Sequence, residues 1–515
     1  MALHNSSRPR KILLLTNVER GEANVFLATS HSLLQLEPNV ELHFASFTGL
    51  EDTVSAVSED VRRSVPEAKP IIFHKIEGLT FMEGVQDHLS REEGPARKHY
   101  IPESFLVQPS FSNTKWAIRD TIPIFVPYDG PQLVQLVSSI IEIINKVDAD
   151  LVVVNSLMTA GLTASYHLGV KFVCLSPNAL RDFAASTQPR AAGLWKFPAL
   201  FSGYPYPVPW YRIPLNIYFT LYAVTKFVTD KRRQPVEKYL AEKTGAALRT
   251  PVDLIQSRSQ DLKILVSTFP ELDFPLIIPE HVIPCGPILR NASPSVAEAD
   301  PDLGNWLARA PTIYVNLGTI CQIAEDQAME LALALKTVLD TLKKLPEAQN
   351  LQVLWKIKKL GEYSVSEPGC EIEKVLGECI RADSMRIVDW LQAEPISILQ
   401  SGHVVCSIHQ GGANSYNEAV SSGVAQVVLP QWTDCYDYAQ RVEMLGIGRL
   451  GSRKSKPQWS APELSEELLH VLHGESSRAI KQKATELAIM CEKRGSGAKT
   501  AALVLLGECP KVDVE

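Results

Sequence analysis

The chain has 515 residues, too many for one hydrophobic core and suited to two domains of ordinary size. Hydrophobic residues make up 45% and charged residues 21%, the composition of a water-soluble globular protein. A formal net charge of −7 argues against a general nucleic-acid partner, and nine scattered cysteines without a CxxC pair argue against a zinc framework. Reduced thiols of this kind fit a cytoplasmic protein.

The first element is an apolar strand at 11–16 (KILLLT), too short for a signal peptide. It runs into Asn17-Val-Glu-Arg-Gly21-Glu22-Ala-Asn24-Val25 and then a helix. Further strands are expected at 41–46, 151–154, 171–175, 263–267, 313–317, 352–357, 404–408 and 425–429. Helical segments alternate with them in both halves, which implies α/β domains built on parallel sheets. Asp148-Ala-Asp150 imitates a metal-binding Asp-x-Asp but precedes a strand rather than following one, so neither a metal nor another cofactor is indicated. Asn5-Ser-Ser and Asn291-Ala-Ser match the glycosylation sequon and carry no meaning without secretion.

Two segments of the first half are rich in aromatics. Residues 100–130 hold Phe105, Phe111, Trp116, Phe125 and Tyr128, and residues 194–225 are aromatic, Pro-rich and almost uncharged. They suit either an apolar pocket for a lipophilic small molecule or packing under a long ordered loop. Prolines and Lys226 leave 210–228 too interrupted to span a membrane, so at most it lies on one as a peripheral contact. The Pro/Ala/Ser-rich stretch 284–301 is the linker candidate. It divides the chain into a first domain at 1–288, a linker at 289–301, a second domain at 302–480 and a helical tail at 481–515.

The most informative stretch runs from Val388 to Gly448. The β-branched run Val404–Ile408 leads into His409-Gln410-Gly411-Gly412, where two glycines permit a tight turn and close approach to a ligand. Asn414 and Ser415 sit where a helix should begin, and Gly423 where it should end. A helix N-terminus behind a glycine turn is a ready anion site. Glu418 lies on the same face as Ser415, placed to accept two ribose hydroxyls. The plainer alternative, that Ser415-Tyr-Asn-Glu418 is only a capping box, leaves Trp390 and Asp434 unaccounted for.

Gln410-Gly411-Gly412-Ala413-Asn414-Ser415-Tyr416-Asn417-Glu418-Ala419 resembles the donor-binding signature of the family 1 UDP-glycosyltransferases in its fungal form, with one residue fewer before the acid. The likeness continues through Gly423, Pro430, Asp434 and Ala439. It implies the GT-B fold, two facing doubly wound Rossmann-like domains with a cleft between them and a terminal helix returning to the first. By position it implies that Trp390 stacks on uracil, that Asn414 and Ser415 bind the diphosphate, that Glu418 binds the ribose and that Asp434 binds the sugar. Gly318 and Thr319, after the strand 313–317, would face the diphosphate as well. The family's diphosphate-binding histidine falls on Gln410, with His409 one place early, and Cys435 stands where plant relatives often have glutamine.

The family's catalytic dyad is also replaced. Its general-base histidine falls on Glu22 and its orienting carboxylate on Asn155. Asn155 can donate a hydrogen bond to Glu22, whereas an aspartate would repel it. Glu22 could act as base for an acidic acceptor, or catalysis could rest on positioning, or Glu22 could be only a first-turn acid favoured by the helix dipole. The resemblance therefore implies an inverting transferase moving a sugar, expected to be glucose, from a UDP-sugar to a hydroxyl of a lipophilic secondary metabolite. The competing reading is a degenerate relative that binds UDP-sugar or lipophile as a partner protein.

Overall fold

The computed structural model describes residues 9–94, 101–290, 294–345, 350–365 and 367–510; both glycosylation sequons lie outside them. Seven parallel strands form the first sheet: β1 (Lys11–Leu15), β2 (Glu41–Ser46), β3 (Ile72–Lys75), β4 (Leu151–Asn155), β5 (Phe172–Ser176), β6 (Ile264–Val266) and β7 (Val282–Pro284). Their order is β3-β2-β1-β4-β5-β6-β7. Six more form the second: β8 (Thr312–Asn316), β9 (Gln352–Lys356), β10 (Met385–Val388), β11 (Val404–His409), β12 (Ala425–Val428) and β13 (Gly448–Leu450). These run β10-β9-β8-β11-β12-β13, again all parallel.

The strands are continuous apolar runs because both faces of each sheet are covered. In β1, Leu13 and Leu15 pack under the helix Gly130–Val147, while Ile12 and Leu14 face the helices Arg20–Leu36 and Gly497–Glu508. The crossing between domains follows Ile288, which still belongs to the first core, and precedes Val296, which packs with Trp306 and Tyr314 of the second. At the other end the chain crosses back at Gly495, not at 481. Helix Gly474–Arg494 stays on the second domain through Ala484, Leu487 and Cys491, and Ala498, Ala501, Ala502 and Leu505 of the next helix enter the first core.

In both sheets the strand order reverses beside the first strand, between β1 and β4 and between β8 and β11. Such switch points open a crevice at the carboxyl ends of the strands. Register puts Leu15 beside Val154 and Ile408 beside Val315. The residues that follow, Thr16-Asn17 next to Asn155 and Gln410-Gly411 near Gly318, therefore meet at the two crevice floors.

Candidate active site

In the first domain, β1 is followed by Thr16-Asn17 and the next helix begins at Arg20, so Glu22 sits in that helix's first turn, 8% exposed. Asn17 and Asn155 each donate from Nδ2 to Glu22 Oε2, both at 2.8 Å. Asn155 is itself fixed: its Nδ2 also reaches Thr16 Oγ1 at 3.0 Å, and its Oδ1 accepts from Leu157 N at 2.8 Å. Among the described residues Glu22 Oε1 has no hydrogen-bond partner. Burial, and then the neighbouring Glu19, push the Glu22 carboxyl up to about 8. The environment thereby makes the Glu22 carboxylate a stronger proton acceptor than an ordinary one. His31, farther along the helix, faces Asp60 at 3.3 Å and takes no part.

On the far side of Asn17, which donates to Glu22, lies a narrow crevice lined by Asn17, Phe47, Phe81, Phe125, Tyr128 and Met158, among others. Of the five aromatics of 100–130, whose sequence suits either a pocket or packing, Phe125 and Tyr128 line this crevice. Phe105 is buried in a separate cluster with Phe201 and Phe219, while Phe111 and Trp116 are exposed. Segment 194–225 does not line the crevice; its inward side packs into that separate cluster.

In the second domain, Gly411 adopts φ +88°, and a Cβ there would meet the Cys435 carbonyl oxygen at 2.8 Å. Only glycine lets this turn close against the helix Thr433–Met444, which carries Cys435. The helix Ala413–Ser421 starts one residue earlier than expected, capped by Gly412, and no side chain caps it. The capping-box alternative is thus excluded: Ser415 lies inside the first turn. Gly423 follows the end with φ +67°. Gln410 is wedged beside Gly318, where a Cβ would come within 2.6 Å of its Nε2, and its buried Oε1 has no partner. Glu418 is buried, and burial followed by Glu394 pushes it up to about 8. Burial and then Asp182 push Asp434 up to about 6, while Thr433 Oγ1 donates to it at 3.1 Å. Trp390 is 59% exposed just beyond β10, with Arg20 and Lys356 over its ring at 5.4 and 5.5 Å.

His409 and Cys435, grouped with the donor-binding residues by position, are both enclosed by protein. His409 is fully buried: its Nε2 meets Gln426 Oε1 at 2.8 Å and its Nδ1 accepts from Gly411 N at 3.0 Å. Burial pushes it down to about 4, so it is a neutral brace behind the turn rather than a ligand group. Cys435 points its side chain into the core with no exposure, one helical step away from Asp434. Lys356 and Lys358 were not anticipated. Lys356 Nζ donates to the Gly318 carbonyl at 2.9 Å and Lys358 Nζ to the Thr319 carbonyl at 2.7 Å. Their signal was position alone, at and beyond the carboxyl end of β9.

The two halves meet at helix N-termini. Asn414 Nδ2 donates to the Arg20 carbonyl at 3.3 Å, two residues from Glu22 and one from Ser415. Tyr416 Oη donates to the Leu272 carbonyl at 2.7 Å and Asn417 Nδ2 to the Ser267 carbonyl at 2.9 Å, fixing the second helix against the first domain. A second crevice between them is lined by Asn24, Arg290, Glu394, Asn414 and Glu418, among others.

Residues 377–490 match the family described as "Erythromycin biosynthesis protein CIII-like, C-terminal domain". The chain is 31% identical to glycosyltransferase sdnJ of Sordaria araneosa over 97% of its own length and 98% of that protein's. It is 26% identical to UDP-glycosyltransferase 84A2 of Arabidopsis thaliana, over 45% of this chain and 47% of the relative. In fold it matches a UDP-glucosyltransferase from Polygonum tinctorium capable of glucosylating indoxyl, with TM-score 0.62, 15% identity and 98% and 99% of the two chains covered. Medicago truncatula UGT71G1, solved with UDP-glucose, gives TM-score 0.61 at 14% identity, covering 98% and 100%.

Proposed function

The chain belongs to the family 1 UDP-glycosyltransferases and has their GT-B fold, and from that premise we propose that it moves glucose from UDP-glucose to a hydroxyl of a lipophilic secondary metabolite, with inversion. The observation that carries the proposal is the meeting of two helix N-termini across the cleft, one holding Glu22 and the other the Gly412–Ser415 turn. Proton acceptor and anion site then lie on opposite sides of one gap.

In this reading the acceptor lies in the crevice beside Phe125 and Tyr128 with its hydroxyl toward Glu22 Oε1. Glu22 takes the proton as the acceptor oxygen attacks the anomeric carbon, and the bond from that carbon to UDP breaks in the same step. The products are a β-glucoside, UDP and protonated Glu22. The developing charge on the diphosphate faces the N–H groups of the 413–421 helix, the Ser415 hydroxyl and the Gln410 amide. Glutamine brings no charge where the family usually has histidine, and Lys356, held at the Gly318 turn, makes up for it. Trp390 takes the uracil, Glu418 the ribose and Asp434 the glucose hydroxyls.

The role of Lys356 is testable without turnover. Lys356→Met should weaken calorimetric UDP binding by about 1.5–3 kcal/mol, the range for a hydrogen bond to a charged group, and lower the melting midpoint as well, because the buried ammonium also serves the Gly318 carbonyl. An unchanged affinity would remove Lys356 from the donor site. For the proposal as a whole, UDP release is measured with UDP-glucose and a panel of lipophilic phenols, alcohols and acids, beside calorimetry with UDP. Acceptor-dependent release is expected. Tight UDP binding with no turnover on any acceptor would instead support a binding protein.

A further inference from the structure

The helix Ile213–Val228 is attached to the first domain by one side only. Asn216 is fully buried, donating to the Leu194 and Phe197 carbonyls at 2.9 Å each and accepting from Ala199 N at 2.8 Å. Phe219, also buried, packs with Phe105, Phe201 and Tyr436. The outward side carries Tyr218, Leu221, Val224 and Val228, all exposed, and the preceding turn adds Tyr211 and Trp210, the latter 82% exposed. Phe111 extends the surface by stacking on Tyr218 at 5.6 Å. Spacings of three and four residues put 218, 221, 224–225 and 228 on one stripe, and no acidic residue occurs in the helix.

The surrounding charge identifies what this stripe meets. Between 190 and 233 there are seven Lys or Arg and one acid, Asp230, in a chain whose net charge is −7. Asp230 is already paired with Arg232 at 2.9 Å. Lys115 sits 5.3 Å from the Phe111 ring and 5.4 Å from Tyr222, Lys226 5.4 Å from Tyr222, and Arg212 5.7 Å from Tyr211. An apolar, aromatic stripe edged by cations on an otherwise acidic protein matches the headgroup–acyl boundary of an anionic bilayer. Among the described residues no helix is long and apolar enough to cross one.

We propose that residues 210–228 dock the first domain on an anionic lipid surface. The docked helix lies in the interface plane, Trp210 and Tyr211 at headgroup depth and Leu221, Val224 and Val228 below it. Phe227 of the same helix meets Phe125 edge-on at 5.6 Å, and Phe125 lines the crevice beside Asn17. Docking thus brings that crevice within one aromatic ring of the lipid, so a lipophilic molecule dissolved in the bilayer reaches it without crossing water. The docking does not depend on the transfer chemistry.

The test is co-sedimentation of the full chain with phosphatidylcholine vesicles, with and without phosphatidylserine, at low and high salt. Wild type should pellet with the anionic vesicles and be released by salt. Lys226→Ala should lower the partition coefficient about fivefold, the value of one basic residue near the surface. Leu221→Asp with Val224→Asp should abolish pelleting while leaving UDP affinity and the melting midpoint unchanged, because both side chains are exposed. Failure of wild type to pellet, equal pelleting with neutral vesicles, or pelleting insensitive to the Asp pair would each overturn the proposal. So would a wild-type dimer in light scattering that the Asp pair converts to monomer, since a second copy would then cover the stripe. UDP binding and release are read separately, so a soluble but active enzyme would sink this inference alone.

Discussion

Glu22→Gln is expected to lower kcat by about 100- to 10,000-fold, the usual worth of a general base, with no change in UDP affinity. The glutamine keeps an oxygen to accept from Asn17 and Asn155, which donate to Glu22 at 2.8 Å, so the helix start should stay intact. The pH profile gives a second readout. Burial and then Glu19 hold the carboxyl at about 8, and only the carboxylate can take a proton. Below that value kcat/KM should fall roughly tenfold per pH unit, above it the profile should level off, and the variant should lose the limb. Glu19→Gln removes the like charge and should move the limb to lower pH; Asn155→Asp adds one and should move it up. Glu22→His combined with Asn155→Asp restores the pair usual in the family and should bring back turnover with a limb near the ordinary histidine range, about 6.5. Undiminished turnover by Glu22→Gln on every acceptor would show that proton transfer lies elsewhere.

The interior of both sheets could be read in advance, and their borders could not. All nine expected strands exist, whereas the four that were missed, β3, β7, β10 and β13, are the two edges of each sheet. An edge strand is covered on fewer sides, so it need not be a continuous apolar run. Ile72–Lys75 is exposed at both ends and mixes in His74 and Lys75, and β7 ends on Pro284, which only an edge tolerates. The glycine turn was legible because its constraint is local. The burial of His409 and Cys435 was not legible, because neighbours in a chain do not face the same way. His409 ends a strand, so its side chain lies opposite that of Gln410, and Cys435 is turned about 100° from Asp434 on a helix. Lys356 was illegible for the opposite reason: a lysine closing an apolar strand acquires meaning only when the Gly318 turn folds over it. The basic, acid-poor character of 190–233 was present in the sequence, but its meaning depended on which side of the 213–228 helix remained uncovered.

Asp273→Ala should be the most destabilising single change at the domain boundary, costing about 3–5 kcal/mol in guanidinium unfolding. Asp273 belongs to the first domain and Arg441 to the second, and both side chains are 1% exposed, with Nε and Oδ1 2.7 Å apart. Arg441 is sandwiched by Phe274 and Tyr438 at 4.4 and 4.8 Å, so without Asp273 its charge cannot swing into water. The nearby Arg181–Asp437 pair also spans the boundary, and Arg181 N donates to Asp273 Oδ2 at 3.3 Å. Such a pair is costly to break yet adds little over a good apolar replacement. Asp273→Leu combined with Arg441→Met should therefore recover most of the loss, a recovery that mere loss of packing at 273 would not produce. A cost below about 1 kcal/mol for Asp273→Ala, the level of an exposed pair, would mean that water reaches this boundary. The consequence for the site follows from helix geometry. Arg441 lies seven residues, two turns, beyond Asp434 on the helix Thr433–Met444, so the two share a face. If Asp434 reads the sugar as proposed, loosening the anchor should weaken UDP-glucose binding more than UDP binding.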